Sequence, residues 1–242
     1  MIEVRGLRKT FRSMTALDGI DFVARDGQVT GLIGPNGAGK TTALRILYTV
    51  MRPDSGSASV DGFDSVTARR DVQQRIGVLP DTRGLYPRLT AREHIRYFGR
   101  LHGLAVDELN QRTEALIETL GMAEFADRRA KGFSKGQARK VAIARALVHQ
   151  PDNLLLDEPT NGLDIASSRA VHRMIQEFRD DGRCVLFCSH IMQEVADICD
   201  HLVVLAEGRV AAAGSLQELR ELSGRDKLED VFLKITGSAE GW

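Results

Sequence analysis

The sequence predicts an α/β protein: a mostly parallel sheet core, an antiparallel β subdomain at the N-terminal side, and an α-helical subdomain inserted between two parts of the core. Three observations predict it. The apolar run Val29-Thr30-Gly31-Leu32-Ile33 leads into Gly34-Pro35-Asn36-Gly37-Ala38-Gly39-Lys40-Thr41-Thr42, and residues 42–48 then read as the first turns of a helix. Two more apolar runs bounded by turns, residues 154–156 and 185–187, read as buried parallel strands separated by a helical pattern over 167–178. The third is a change of period: β-like runs and turns up to about residue 81, then helical spacing from about 88 to 149.

Each element has its own signal. Ile2-Glu3-Val4 and Ile20-Asp21-Phe22-Val23 alternate with period two, and Asp26-Gly27 and Asp61-Gly62 are hairpin-type turn pairs. Thr90 reads as a helix N-cap with Glu93 three residues later, followed by Ile95, Phe98 and Leu101 on one face and Gly103 as a stop. A second helix spans about 106–120, with Leu109, Leu116 and Ile117 on one side and Gly121 at its end. A third spans about 136–149 and is ended by Pro151. The whole chain, 1–242, is expected to be one domain. Residues 1–81 and 150–214 form its α/β core with the β subdomain, 82–149 the inserted helical subdomain, and 215–242 a helical extension. The face Leu216-Leu219-Leu222 is expected to pack that extension on the core.

Composition narrows the function classes. The chain has 33 Lys and Arg against 33 Asp and Glu, so no overall basic charge points to nucleic acid. No apolar run approaches the roughly 20 residues needed to cross a bilayer, and the opening Met1-Ile2-Glu3-Val4-Arg5 has no apolar signal core. Cytoplasmic residence is expected. Cys184, Cys188 and Cys199 match no zinc or redox spacing and are expected to be reduced thiols.

The loop at 34–42 fits G-x-x-x-x-G-K-[ST] without mismatch. Gly34, Gly37 and Gly39 let the backbone curl so that successive N–H groups approach one anion, with Asn36 and Ala38 as further binding positions of the same loop. Lys40 supplies a positive charge to the outer phosphates and Thr41 a hydroxyl suited to Mg²⁺, with Thr42 beside it. The helix that follows points its positive end at the same place. A phosphate loop also needs a carboxylate for the metal. The strand run at 154–156 ends in Asp157 and Glu158: Asp157 suits Mg²⁺ at a strand's carboxyl end, and Glu158 suits the orientation or deprotonation of a water.

Phe133-Ser134-Lys135-Gly136-Gln137 lies about 20 residues before those acids and opens a helix. It resembles the signature loop, Leu-Ser-Gly-Gly-Gln, of ATP-binding-cassette (ABC) ATPases. Val141-Ala142-Ile143-Ala144-Arg145-Ala146-Leu147, Asn161-Gly162-Leu163-Asp164 and Ser189-His190 resemble the family's following helix, D-loop and switch histidine, in the family's order. The resemblance covers nearly the whole chain and implies the P-loop, RecA-like form of the α/β class. It implies ATP and Mg²⁺ as cofactors, Phe11 stacking on adenine, His190 contacting the γ-phosphate, and Ser134, Gly136 and Gln137 receiving the γ-phosphate held by a second subunit. Two cassettes, most simply identical chains, would meet head to tail.

Two positions depart from the family pattern. Asp81 stands where the family usually has glutamine, which puts its metal contact in question, and Lys135 replaces the first glycine of the signature loop. With Arg83-Gly84-Leu85-Tyr86-Pro87 and the ending over 228–236, these features resemble the separate ATPase subunits of bacterial exporters of the sodium-extruding NatA type. That branch implies a second ATPase subunit and a separate multi-span permease as partners, no nucleic acid, and a place on the cytoplasmic face of the membrane. The alternatives are a soluble ABC ATPase acting on ribosomes or DNA, and a regulatory module that binds nucleotide without hydrolysing it.

Overall fold

The computed structural model describes residues 1–81 and 84–237; Arg83 and the last part of the 215–242 extension lie outside the described residues. The first elements are β1 (Ile2–Phe11), β2 (Met14–Ala24), β3 (Gln28–Ile33), α1 (Lys40–Leu47), β4 (Ser55–Val60), β5 (Phe63–Asp64), α2 (Arg69–Arg75) and β6 (Ile76–Leu79). Three helices follow, α3 (Ala91–Leu101), α4 (Val106–Thr119) and α5 (Lys135–Leu147), with 3₁₀ turns at Ala123–Phe125 and Ala130–Gly132. The chain then returns through β7 (Asn153–Asp157), α6 (Ile165–Asp180), β8 (Cys184–Cys188), α7 (Met192–Ile198), β9 (His201–Ala206) and β10 (Arg209–Gly214). Two helices, α8 (Leu216–Ser223) and α9 (Leu228–Thr236), complete the described part.

The strands make two sheets. One is antiparallel, in the order β2-β1-β4-β5; the other runs β10-β9-β3-β8-β7-β6 and is parallel except for β10 at its edge. Every residue of β7 and β8 is buried, as expected for interior strands of a parallel sheet covered on both faces. Alternation along these strands feeds two cores. Val29, Leu154, Leu156, Val185 and Phe187 join the core shared with α3–α9. Leu32, Leu155, Leu186 and Val203 join the core between the two sheets, where α1 is also buried. Truncating Phe187, wholly buried, to alanine would cost about 3–5 kcal/mol.

Most local signals hold. Thr90 and Glu93 form the capping box of α3, and Asp61-Gly62 turns β4 into β5 with positive φ at both residues (50° and 80°). The cysteines are free, and burial pushes the Cys184 thiol up to about 12. Three expectations need correction. Asp26-Gly27 is not a hairpin turn: β2 and β3 lie in different sheets, and the Gly27 N–H donates to Arg183 O at 3.0 Å to carry the chain between them. Leu101 is 65% exposed and Leu222 69% exposed. Each lies in the last turns of its helix, where the core has run out. In the C-terminal pair, Leu219, Leu228, Val231 and Phe232 supply the burial instead.

Candidate nucleotide site

A cavity of about 360 Å³ opens where the N-terminus of α1, the ends of β7 and β8, and the β1–β2 hairpin meet. Asn36, Gly37, Ala38, Gly39, Lys40, Thr41 and Thr42 line one side of it; Asp81, Asp157, Glu158 and His190 line another; Phe11, Met14 and Ala16 close the apolar end.

The loop before α1 is held by its glycines. Gly34 is buried, lines no part of the cavity, and has no room for a side chain, because a Cβ there would collide with Leu205 O on β9. Gly39 has φ 104°, and a Cβ on it would strike Ala16 O on β2. No side chain caps α1, so its first N–H groups remain available to an anion at the mouth of the helix. Lys40 turns inward: its Nζ donates to Gly34 O at 2.5 Å and to Pro35 O at 3.1 Å. Burial lowers its pKa, opposed in part by Glu158 and Asp157. A cradle of unspent N–H groups around an ammonium fits a chain of phosphates.

The acidic side calls for a cation. Asp157 is the last residue of β7, and its carboxyl is pushed up to about 6, first by burial and then by the charges of Glu158 and Asp81, against Lys40 and Arg139. Among the described residues no three His, Cys, Asp or Glu side chains are placed to hold a metal by themselves. Mg²⁺ at a phosphate site does not require them, since it binds through one or two carboxylates together with phosphates and water. Thr41 and Asp157 therefore fit Mg²⁺, with Asp81, exposed at the cavity edge, as a further carboxylate.

Glu158 has a left-handed backbone, φ 53°, which costs a non-glycine residue about 1–2 kcal/mol. Its N–H donates to Cys188 O at 2.9 Å, which ties the end of β7 to the end of β8. Glu158 Oε2 is 2.7 Å from Nδ1 of His190, whose side chain is 52% exposed. With Glu158 ionised, the proton of that bond belongs to His190 Nδ1. Carboxylate and imidazole thus face the phosphate end of the cavity as a bonded pair.

Phe11 is 39% exposed and pairs across the hairpin with Met14, so the two side chains flank the apolar end. Sequence reasoning missed Met14. Its placement depends on the register of a hairpin that turns at Arg12-Ser13, where no glycine or asparagine announces a turn. The signature-like residues are elsewhere. Ser134, Gly136 and Gln137 line no part of this cavity. Ser134 is exposed and N-caps α5; its Oγ accepts the Gln137 N–H at 3.1 Å, and Gln137 Oε1 accepts the Ser134 N–H at 3.0 Å. A Cβ on Gly136 would sit 3.2 Å from Gly162 O, so this loop packs against Asn161-Gly162-Leu163-Asp164 of the same chain.

Known proteins are similar to this chain in sequence and in fold. The ABC transporter family profile matches residues 17–161. The ABC transporter ATP-binding protein NatA of Bacillus subtilis is 45% identical over 219 residues, covering 90% of this chain and 89% of that protein. The daunorubicin resistance ATP-binding protein DrrA3 of Streptomyces coeruleorubidus is 36% identical, covering 98% of this chain and 74% of its own length. Among solved structures, the ATP-binding subunit of an ABC transporter superposes with a TM-score of 0.92 at 29% identity, covering 98% of this chain and 99% of that one. A bacterial ABC transporter cassette solved as a dimer superposes with a TM-score of 0.80 at 26% identity, covering 89% and 99%. The chain belongs to the ABC transporter family, as one of its ATP-binding, ATP-hydrolysing cassettes.

Proposed function

We propose that this cassette hydrolyses Mg²⁺-ATP in the cavity described above and drives export through a separate membrane permease. The observation that carries the chemistry is the convergence of phosphate loop, Asp157 and the Glu158–His190 pair on one cavity. The α1 N-terminus and Lys40 hold the phosphates. Thr41 and Asp157 would hold Mg²⁺, which when bound would offset phosphate charge, and Asp81 lines the same cavity as a further carboxylate. Phe11 and Met14 take the faces of the base. Glu158 removes a proton from the attacking water, the water oxygen bonds to the γ-phosphorus, and ADP leaves with the bridging oxygen. His190 orients Glu158 through the 2.7 Å bond.

Ser134, Gly136 and Gln137 act in a second chain's site. They sit exposed or half-exposed at a helix start, outside their own cavity, and a similar cassette was solved as a dimer. The helices within 84–149 carry motion from this site to the permease, and the described part of the 215–242 extension, up to residue 237, belongs to the cassette's own packing. No helix among the described residues is long and apolar enough to cross a membrane; we assign the transport path to another subunit, at whose cytoplasmic face this chain docks. Sodium is the cargo implied by the resemblance to the NatA branch. The resistance proteins among the relatives make drugs the second candidate.

The test is co-purification of the full chain from detergent-solubilised native membranes. A stoichiometric multi-span membrane protein is expected. Ribosomal or DNA-repair proteins in its place would favour the soluble ATPase reading and leave only the nucleotide chemistry.

A further inference from the structure

Glu194 lies in the first turn of α7 with its side chain only 12% exposed, and it lines no part of the nucleotide cavity. Thr160 Oγ1 donates to Glu194 Oε2 at 2.7 Å, and Ser189 Oγ donates to the same oxygen at 3.3 Å. His172 Nε2, on α6, stands 3.5 Å from the other oxygen, Oε1. Burial works against ionisation, yet the contact with His172 and the bonds from Thr160 and Ser189 hold the Glu194 carboxyl below its usual range.

The two hydroxyls belong to the two loops that carry the hydrolytic pair. Thr160 is two residues beyond Glu158, and Ser189 directly precedes His190. Ser189 Oγ also accepts the Ile191 N–H at 3.1 Å, so the backbone is fixed on both sides of His190. Beyond the backbone bond from Glu158 N–H to Cys188 O, side chains join the loops twice: on the exposed side by His190 Nδ1 and Glu158 Oε2 at 2.7 Å, and on the buried side by Thr160, Glu194 and Ser189. An exposed imidazole on a short loop has rotamer and backbone freedom to lose. A buried anion that binds both loops removes that freedom before the substrate arrives.

We propose that Glu194 is a positioning residue that clamps the loop after β7 to the loop after β8 and so sets the Glu158–His190 contact. The proposal rests on the reading of Glu158 and His190 as the hydrolytic pair. It also extends further along the chain. Thr160 leads into the 161–164 segment, against which Gly136 packs, so displacement of that segment reaches His190 through Thr160 and Glu194.

The test uses the full chain labelled with ¹⁵N-histidine, in which NMR reads the state of His190 Nδ1. Glu194→Gln removes the anion, and Thr160→Val removes one donor with little change of shape. In both variants the His190 Nδ1 resonance is expected to move toward its position in Glu158→Ala. ATP affinity should be unchanged, and turnover should fall about 10- to 100-fold for Glu194→Gln and less for Thr160→Val. A His190 resonance unmoved in both folded variants would overturn the proposal, because a carboxylate that merely fills a polar pocket leaves the imidazole where it is. Turnover of His190→Ala is measured beside them. If that variant keeps full activity the hydrolytic roles fail, while the NMR result still decides whether Glu194 positions the loop.

Discussion

The phosphate loop and the loop at Ser134 both end at the start of a helix, and they differ in what they leave unfinished. The phosphate loop is locked from behind, with Gly34 against β9 and Gly39 against β2, while the first N–H groups of α1 have no side-chain cap. Its binding capacity faces a cavity that the same chain completes with Asp157, Glu158 and His190. The Ser134 loop satisfies itself through a capping box, lies exposed, and borders no part of that cavity. One loop is preorganised for a ligand brought by diffusion. The other is a finished helix start, and on the proposed reading its use depends on a ligand presented by another molecule.

Substitutions sharpen this contrast by separating chemistry, binding and assembly. The largest effect is expected from Glu158→Gln: turnover falls about 10²- to 10⁴-fold with ATP affinity retained, as steady-state hydrolysis and equilibrium binding would show. Unchanged turnover would remove Glu158 from its role. Lys40→Ala comes next, with ATP affinity lowered about 10- to 100-fold through the loss of charge-assisted bonds to phosphate; titration calorimetry measures it, and equal affinity would refute the phosphate-loop assignment. Ser134→Ala should leave ATP affinity of the single chain intact and lower turnover about tenfold, while loss of the cap destabilises α5 by about 1 kcal/mol. If instead the single chain loses ATP affinity, the contrast between the loops disappears.

The smallest effect lies outside both loops. His149 stacks on His102 with ring centroids 3.6 Å apart, and its Nε2 lies 3.0 Å from Ile76 O. Burial holds its pKa down at about 4, with the charge of His102 adding to the effect. The folded chain thus prefers the neutral ring. The stability this gives is complete above the ordinary value of about 6.5 and is lost as pH falls toward 4. Denaturant unfolding at pH 7 and pH 5 should show His149→Phe losing about 1 kcal/mol less than the parent on acidification, a value already discounted for partial exposure. An identical acid loss in both proteins would contradict it.

The sequence made the phosphate side legible because its parts are adjacent. Strand, glycines, Lys40 and helix lie within one short stretch, and Asp157 and Glu158 follow an apolar strand directly. The parallel strands were legible for the same reason: burial on both faces leaves a continuous apolar run. What stayed hidden depended on tertiary partners. Met14 joins the cavity through hairpin register, and Asp26-Gly27 looks like a hairpin turn until the two strands are seen to enter different sheets. Glu194 reads as an ordinary polar position of an amphipathic helix, since Thr160, His172 and Ser189 come from three separate segments. Leu101 and Leu222 have the right spacing for a buried face, but spacing does not show where the surface to be covered ends.

The most direct test is the mass of Glu158→Gln in solution with and without Mg²⁺-ATP, by light scattering on an eluting peak. A site completed by a second copy predicts a monomer without nucleotide and a dimer holding two ATP with it, and a return to monomer when Ser134→Ala is added. A chain that remains monomeric at saturating ATP would contradict the account, because the Ser134 loop would then have no phosphate to receive.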